Sequence, residues 1–265
     1  MLSIVSGGRL APPFFRATPT HRNHSLRRGA VFACVPMNVC EPSGGGGTPV
    51  GRDLIGPTNA NQFSSNVSMR GEACGPAVRI VVGSMRYTVP RAMPSQAPFS
   101  CFAFLVNRSN SGIQALISVG AAGFAGWTFE LTYGGSQIGL TRWGVADHPT
   151  TTLGSVPLNV PITCGCACDG TVTRFNLNGR FEQIATGNPS AYTGTGIAVG
   201  CTPVNTLHCN DAAIHVAYVW NRVVTDAEFL ALTYDPWALV RPELPMLHGT
   251  GVVAASRRRY VSSIG

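Results

Sequence analysis

The chain has 265 residues, 45% of them hydrophobic, which is enough to bury a sizeable core. All 19 basic residues are arginines and outnumber 12 acidic residues, but they form neither an arginine-rich helix nor a platform with interleaved aromatics, so direct nucleic-acid binding is not indicated as the main role. No apolar run reaches the roughly 20 residues that cross a bilayer, and Met1–Leu10 lacks the apolar core of a signal peptide, so we expect neither a membrane protein nor export by that route.

Residues 1–29 are predicted to form an extended N-terminal arm. They contain Pro12, Pro13 and Pro19 with five arginines and show little periodicity. An arm of this kind reaches a neighbouring protein, because the planar guanidinium group suits hydrogen bonding across an interface. The candidate partner contacts in the arm are Arg16, Arg22, Arg27 and Arg28.

The middle of the chain is predicted to be all-β. Its 31 glycines and 19 prolines separate short runs of strand character, which is typical of a sandwich or barrel, and no repeat of fixed period indicates a propeller or solenoid. The predicted strands are Ala77 to Val82, Met85 to Val89, Ser100 to Val106, Gln114 to Val119, Trp127 to Tyr133, Gln137 to Trp143, Val160 to Cys168, Thr171 to Leu177, Phe181 to Ala185, Ile197 to Val199 and Ile214 to Trp220.

One strand carries a clear alternation. Trp127, Phe129, Leu131 and Tyr133 alternate with polar residues that include Glu130, which predicts one buried face and one face in water.

The nine cysteines are an odd number, without a Cys-x-x-Cys pair, so a disulfide framework is not expected. Cys164, Cys166 and Cys168 would share one strand face, where they either bind zinc together with His208 and Cys209 or, as we favour, pack in the core as small apolar side chains.

The closing segment is the most specific stretch of the chain. A strand from Ile214 to Trp220 is predicted to place Ile214, Val216, Tyr218 and Trp220 on one core face. Thr225 and Glu228 then form a capping box, so a helix begins near Asp226 and ends near Tyr234, before Pro236. Phe229, Leu230, Leu232 and Tyr234 are predicted to give this helix its apolar side.

This segment resembles the end of the laminin-G-like, concanavalin A-like jelly rolls encoded in many tailed-phage genomes. The resemblance rests on Tyr218, Asn221, Arg222, Thr225, Glu228, Pro236 and Trp237. The order of other elements agrees: an opening at residues 24–29, a long strand at 99–106, and hairpin turns at Asp169-Gly170 and Asn178-Gly179. It implies an antiparallel jelly-roll β-sandwich over residues 30–236, with one short C-terminal helix, the arm 1–29 and a basic tail 237–265 that carries Arg257, Arg258 and Arg259.

No catalytic, metal or cofactor site is predicted. Glu130, Glu182 and the Asp226–Glu228 turn do not form the paired carboxylates of glycosidases, and Asp147, Asp169 and Asp211 are too isolated to indicate calcium.

The resemblance implies a virion structural protein. We expect a capsid decoration or cement protein on the capsid exterior, assembled in the host cytoplasm, homo-oligomeric, and bound to the major capsid protein or other virion proteins through its terminal arms. The alternative is a carbohydrate-binding, lectin-like module for attachment to host or surface glycans, with Trp143 and Tyr192 as candidate glycan contacts. A glycan hydrolase is the weaker alternative.

Overall fold

The structure is a computed structural model. It describes residues 25–38, 49–55, 58–59, 62–63, 67–72, 74–81, 85–88, 92–121, 125–133, 136–194, 196–202, 209 and 211–240.

These residues form strands, one short 3-10 helix at Ser25–Arg27 and one α-helix, α1, at Asp226–Tyr234. The strands are β1 (Ala30–Asn38), β2 (Pro49–Asp53), β3 (Thr58–Asn59), β4 (Gln62–Phe63), β5 (Val67–Glu72), β6 (Gly75–Ile80), β7 (Met85–Thr88), β8 (Phe99–Asn107), β9 (Gln114–Ala121), β10 (Ala125–Tyr133), β11 (Gln137–Arg142), β12 (Ala146–Pro149), β13 (Pro161–Cys168), β14 (Val172–Leu177), β15 (Arg180–Ala185), β16 (Gly196–Val199) and β17 (Ala212–Trp220). Among these residues, no helix is long and apolar enough to span a membrane.

The strands make two antiparallel sheets. The ten-stranded sheet runs in the order β15-β14-β13-β8-β17-β1-β2-β3, with β6 on β17 and β5 on β6. The seven-stranded sheet runs in the order β12-β11-β10-β9-β16-β7-β4. The predicted all-β, antiparallel jelly-roll β-sandwich with one short C-terminal helix is therefore confirmed.

The main core lies between the two sheets. Trp127 on β10 stacks on Phe99 on β8, with ring centroids 4.5 Å apart, and joins the two sheets. Cys164, Cys166 and Cys168 on β13 are all fully buried in this core.

A second apolar cluster lies on the outer face of the ten-stranded sheet, beneath α1. Val216, Tyr218 and Trp220 on β17 pack there with Phe229 and Leu232 of the helix. Leu230 and Tyr234 are exposed instead, Tyr234 at 87%, so they do not belong to the buried side of the helix as the sequence had indicated.

A β-bulge explains a second difference from the sequence prediction. The pairing of β17 with β8 shifts between Ile214 and Val216, which changes the phase of the alternation. Ile214 consequently lies in the core between the sheets, whereas Val216, Tyr218 and Trp220 face α1. The four residues do not share one face.

The packed domain extends beyond residues 30–236 at both ends. Leu26 is buried, and the Trp220 indole N–H donates to its carbonyl at 2.6 Å. At the other end Leu239 is buried in the cluster beneath α1. Leu26 and Leu239, which the sequence prediction assigned to the arm and the tail, therefore pack with the sandwich.

Candidate functional site

The signature residues of the closing segment hold the fold together. The Arg222 guanidinium bridges both Glu228 carboxylate oxygens at 2.7 and 2.8 Å and also donates to the carbonyls of Ser25 and Arg28. The Asn221 N–H donates to the Gly29 carbonyl. These hydrogen bonds therefore hold the start of the domain against the outer face of the ten-stranded sheet.

The capping box predicted at Thr225 and Glu228 is present. Burial alone would raise the pKa of Glu228, but hydrogen bonds from Arg222 and Thr225 hold it below its ordinary value. The Tyr218 hydroxyl donates to the Pro236 carbonyl at 2.9 Å, and the Trp237 ring meets His215 edge-on. These residues are therefore accounted for by their structural partners.

Cys164, Cys166 and Cys168 lie in the core between the sheets. Cys166 faces Cys101 across β8 and β13, with the two Sγ atoms 3.5 Å apart. Burial raises the pKa of Cys166 and of Cys164 well above the ordinary value. No three potential metal-ligating side chains come together within the described ranges, to which His208 does not belong.

Two predicted loop or strand acids have local structural roles. The Asp169 carboxylate accepts from the backbone N–H groups of Thr171 and Val172, as expected of an Asp-Gly turn. The Glu182 carboxylate accepts from the backbone N–H groups of residues 151–153 and from both threonine hydroxyls there. Glu182 thereby ties the loop after β12 to the edge of the other sheet.

Trp143 lies at the hairpin between β11 and β12, at one edge of the seven-stranded sheet. Its indole N–H donates to the Thr128 hydroxyl at 2.9 Å, which fixes the ring against the outward face of β10. Trp143 is partly exposed as a residue, and Val145 at the tip of the hairpin is 50% exposed. The hairpin therefore presents an oriented indole ring to solvent.

A row of polar side chains runs from this indole across three strands. Thr128 on β10 pairs with Thr141 on β11, which pairs with Asp147 on β12. Asp147 is exposed, but Thr128 is fully buried and Thr141 nearly so. The prediction that this face of β10 lies in water is therefore wrong for Thr128 and for Glu130, while Trp127, Phe129 and Leu131 are buried as expected. The side chains of residues 132 and 133 lie outside the described residues.

Glu130 is the most unusual residue of this face. It is 1% exposed, and its Oε2 has no hydrogen-bond partner among the residues that the structure describes. Burial raises its pKa to about 8, a hydrogen bond from Thr141 lowers it, and the charge of Asp147 raises it further. The carboxyl group is therefore protonated at neutral pH.

Arg142 lies beside Trp143 in sequence, but its guanidinium group points elsewhere. It contacts His148 Nε2 through Nε at 3.0 Å and through a terminal nitrogen at 2.8 Å. Its other terminal nitrogen donates to the Asn188 carbonyl at 3.0 Å. Burial, and then the charge of Arg142, lower the pKa of His148, so the ring accepts from the guanidinium as a neutral imidazole.

Tyr192, the other predicted glycan contact, lies in a loop at the same end of the sheet. The Gly126 N–H donates to the Ser190 carbonyl, and the Gly126 carbonyl accepts from Trp143. Gly126 thus joins the Tyr192 loop to the hairpin. The Tyr192 ring is partly exposed and folds back onto Gly194, where a Cβ would clash with it.

The predicted arginine contacts are divided between described and other residues. Arg27 and Arg28 lie at the short 3-10 helix, where Arg28 is exposed. Arg16, Arg22, Arg257, Arg258 and Arg259 lie outside the described residues.

Sequence reasoning proposed Trp143 and Tyr192 but missed the groups around them. Asp147 and Glu130 were considered only as isolated acids, and Arg142 and His148 were not singled out. The sequence feature that could have indicated these groups is the hairpin. Two strands joined by Trp143-Gly144-Val145 place residues 141 and 147 side by side.

No protein-family model matches the chain, and no curated protein matches it. Solved structures do match. Domain 4 of the GH43 extracellular arabinanase from Geobacillus stearothermophilus, in complex with arabinotriose, aligns with a TM-score of 0.55 and 12% identity over 68% of this chain and 91% of that domain.

Two longer proteins also match. A structure of botulinum neurotoxin type C, whose cell entry depends on interaction with two ganglioside molecules, has a TM-score of 0.57 and 12% identity over 81% of this chain and 52% of its own. Trypanosoma rangeli sialidase in complex with sialic acid has a TM-score of 0.54 and 13% identity over 80% of this chain and 34% of its own. The chain thus spans about half of the toxin chain and about a third of the sialidase chain. At these identities the likeness shows the fold alone.

Proposed function

We propose that the chain is a carbohydrate-binding, lectin-like β-sandwich, with its glycan-binding site at the β11–β12 hairpin. The observation that carries this proposal is the fixed indole of Trp143, partly exposed and bonded through its N–H to Thr128. An aromatic face offers a flat apolar surface with a negative quadrupole, which suits the C–H groups of a sugar ring.

The ring is oriented before any ligand arrives. Trp143 is anchored by its side chain to Thr128 and by its backbone N–H to the Gly126 carbonyl at 3.1 Å. A side chain that is already ordered loses little rotamer freedom on binding, which favours affinity from a small contact area. Asp147, two residues after the tip of the hairpin, and the Tyr192 loop carry polar groups at the same end of the sheet.

The comparisons support a glycan-related function more than a virion one. Their described ligands are arabinotriose, gangliosides and sialic acid, each stated for that protein. Because the identity is low and the toxin and sialidase chains are much longer, we take from them a class of ligand and not a particular sugar.

The test is binding of the full chain to a glycan array, followed by titration of the strongest ligand. Trp143→Ala should reduce affinity at least tenfold, whereas Trp143→Phe should retain part of it because a ring remains. Tyr234→Ala is the matched control: it removes an exposed aromatic side chain on α1, at the outer face of the other sheet, and should leave binding unchanged. Saturable binding that survives Trp143→Ala, or no glycan binding at all, contradicts the proposal.

We also infer that the domain binds without catalysing a reaction. The carboxylates that sequence reasoning weighed are occupied or covered: Glu182 by a loop, Glu228 by Arg222, Asp226 by an ion pair with Arg174, and Glu130 by burial. Incubation with a bound oligosaccharide and analysis of the products by mass spectrometry tests this, and release of shorter sugars would overturn it.

The capsid-decoration hypothesis stays a prediction. It rests on the resemblance of the closing segment and on the chain ends, most of which lie outside the described residues. The location on a capsid exterior and the homo-oligomeric state are equally predictions. Purified capsids that bind the full chain but not one lacking residues 1–24 and 241–265 would support it.

A further inference from the structure

The base of the Trp143 hairpin is closed by a contact between two side chains. Arg142 ends β11, and His148 lies on β12, on the other side of the turn. The Arg142 guanidinium contacts His148 Nε2 through Nε at 3.0 Å and through a terminal nitrogen at 2.8 Å. Trp143 directly follows Arg142, and the Val145 N–H donates to the Arg142 carbonyl at 3.0 Å. The position of the indole is thus linked to the Arg142–His148 contact through the backbone of the turn.

The same guanidinium joins the hairpin to the opposite sheet. Its other terminal nitrogen donates at 3.0 Å to the carbonyl of Asn188, in the loop that follows β15 and leads to Tyr192. A Cβ on Gly187 would lie 3.3 Å from this nitrogen, so the loop backbone packs closely on the guanidinium. The Asn188 side-chain oxygen in turn accepts from the Ala97 N–H at 3.1 Å. Arg142 consequently fixes the hairpin relative to the Tyr192 loop.

The contact requires an uncharged imidazole. A guanidinium group has only hydrogen-bond donors, so His148 Nε2 accepts and carries no proton, and the proton of the neutral ring is on Nδ1. Protonation of Nε2 would replace the acceptor by a donor and set two cations against each other. Both hydrogen bonds would be lost, and Arg142, which is 8% exposed, is largely shielded from the water that could replace them.

Two charged groups act on the imidazole ring among the described residues. Burial has the largest effect and lowers the pKa of His148; the charge of Arg142 on β11 also lowers it, whereas the charge of Asp147, its neighbour on β12, raises it. Leu140, opposite His148 in register, is apolar, and the loop residues that lie on Arg142 do not ionise. The pKa of His148 consequently lies below its ordinary value of 6.5, so the ring is neutral at pH 7 and gains a proton on acidification.

We propose that Arg142 and His148 are positioning residues of the glycan-binding site, and that they hold the Trp143 hairpin in its binding geometry only while His148 is neutral. This inference rests on the proposed function and adds a regulation of its site by pH. Acidification separates the pair in a growing fraction of molecules, and the apparent affinity falls in proportion to the fraction that keeps the contact. Glycan binding is strongest near neutral pH and weakens as the pH falls below 6.5.

The first measurement needs no glycan. In the full chain labelled with nitrogen-15, the indole Nε1–H resonance of Trp143, assigned by its loss in Trp143→Phe, is followed from pH 7.0 to pH 4.5. We expect one titration step with a midpoint below 6.5. The Trp220 indole, which donates to the Leu26 carbonyl at the other sheet, is the internal control and should not move. Glu130 adds no step, because its pKa of about 8 keeps it protonated over this range.

His148→Gln offers an amide oxygen in place of Nε2 and does not ionise, so its Trp143 resonance should not titrate. The Trp220 resonance shows in the same spectra that the variant is folded. An unmoved Trp143 resonance in the unaltered chain, or a step that persists in His148→Gln, overturns the inference.

The second measurement is the glycan array, read over a series of protein concentrations at pH 7.0 and at pH 4.5. For the unaltered chain, the half-saturating concentration should rise about two- to tenfold at the lower pH, whereas His148→Gln should give equal values at both. Equal values for the unaltered chain overturn the inference and leave the glycan-binding function standing. Absence of binding at both pH values overturns the proposed function itself, while the indole resonance still decides whether the Arg142–His148 pair holds Trp143.

Discussion

The closing segment and the Trp143 hairpin treat their polar side chains in opposite ways. In the closing segment Arg222, Thr225 and Glu228 satisfy one another and the start of the domain. Behind the hairpin, the Glu130 carboxyl group is buried with one oxygen lacking a partner among the described residues. A satisfied polar network specifies a fold, whereas an unsatisfied buried acid lowers stability and is a signal of function.

The two regions also differ in how recognisable their sequences are and in how much they indicate about function. The closing segment has the more recognisable sequence, yet its polar residues are explained by capping, clamping and turn formation. The hairpin is short and carries no motif, yet it carries a partly exposed tryptophan and an exposed acid, and a buried acid lies on the neighbouring strand β10. Three experiments would break or sharpen this contrast, and the largest effect is expected at Glu130.

The stability of the protein should depend on pH through Glu130. Because its folded-state pKa is about 8 against an ordinary value of 4.5, the folded state holds a proton that the unfolded chain releases above pH 4.5. The stabilisation of the folded state that comes from this bound proton is fully present below pH 4.5 and is lost as the pH rises through 8. At about 1.4 kcal/mol for each tenfold change in protonation, the loss amounts to roughly 4 kcal/mol between pH 5 and pH 9.

Glu130→Gln should remove this loss, because the amide does not ionise. Denaturant unfolding at pH 5, 7 and 9 measures it, and the difference between the two proteins should grow in favour of the variant as the pH rises. A constant difference across that range would show that the carboxyl group is not held in its protonated form, and the contrast between the two regions would then disappear.

Loss of the Arg222–Glu228 ion pair should have the next largest effect on the free energy of unfolding. Arg222→Met keeps the apolar stem but leaves the largely buried Glu228 carboxylate without its cation, which should lower the free energy of unfolding by about 3 kcal/mol. Arg174→Met is the matched control, since its pair with Asp226 is about 40% exposed on both sides and should cost less than about 1 kcal/mol. Urea unfolding compares the two. Equal losses would mean that the closing segment is no more tightly organised than the surface.

The structural features that depend on residues close together in the sequence were predicted correctly. Helix α1 was placed at its observed bounds because Thr225, Glu228 and Pro236 act within a few residues of themselves. The eleven predicted strands were found within about two residues of their observed bounds for the same reason, since turn residues separate them, but β1, β2, β3, β4, β5 and β12 were not predicted. The packing of Trp143 against Thr128 needs a contact between neighbouring strands, so the sequence could propose the tryptophan but not its orientation.

Errors arose where a local pattern met a distant constraint. Alternation placed Thr128 and Glu130 in water, but burial of a strand face is decided by what other parts of the chain cover it. Alternation also placed Ile214 with Val216, and the bulge between them reversed the assignment. A bulge adds one residue to one strand of a pair, and nothing in the run of apolar residues marks where it falls.

The smallest effect tests an exception within the well-satisfied region. Asn176 on β14 is fully buried on the side of the sheet next to α1, between Gly165 and Phe181, and neither its amide oxygen nor its nitrogen has a partner among the described residues. Asn176→Leu keeps a similar branched shape and should raise the free energy of unfolding by about 1 to 2 kcal/mol by removing two unpaired polar groups. Gln183→Leu, an exposed amide on the next strand, should change it by less than about 0.5 kcal/mol. If Asn176→Leu is destabilising, Asn176 has a partner after all, and the ten-stranded sheet is satisfied throughout. If it is stabilising, unsatisfied burial occurs on both sheets, and Glu130 is set apart only by its ability to ionise and by its position on the strand next to the Trp143 hairpin.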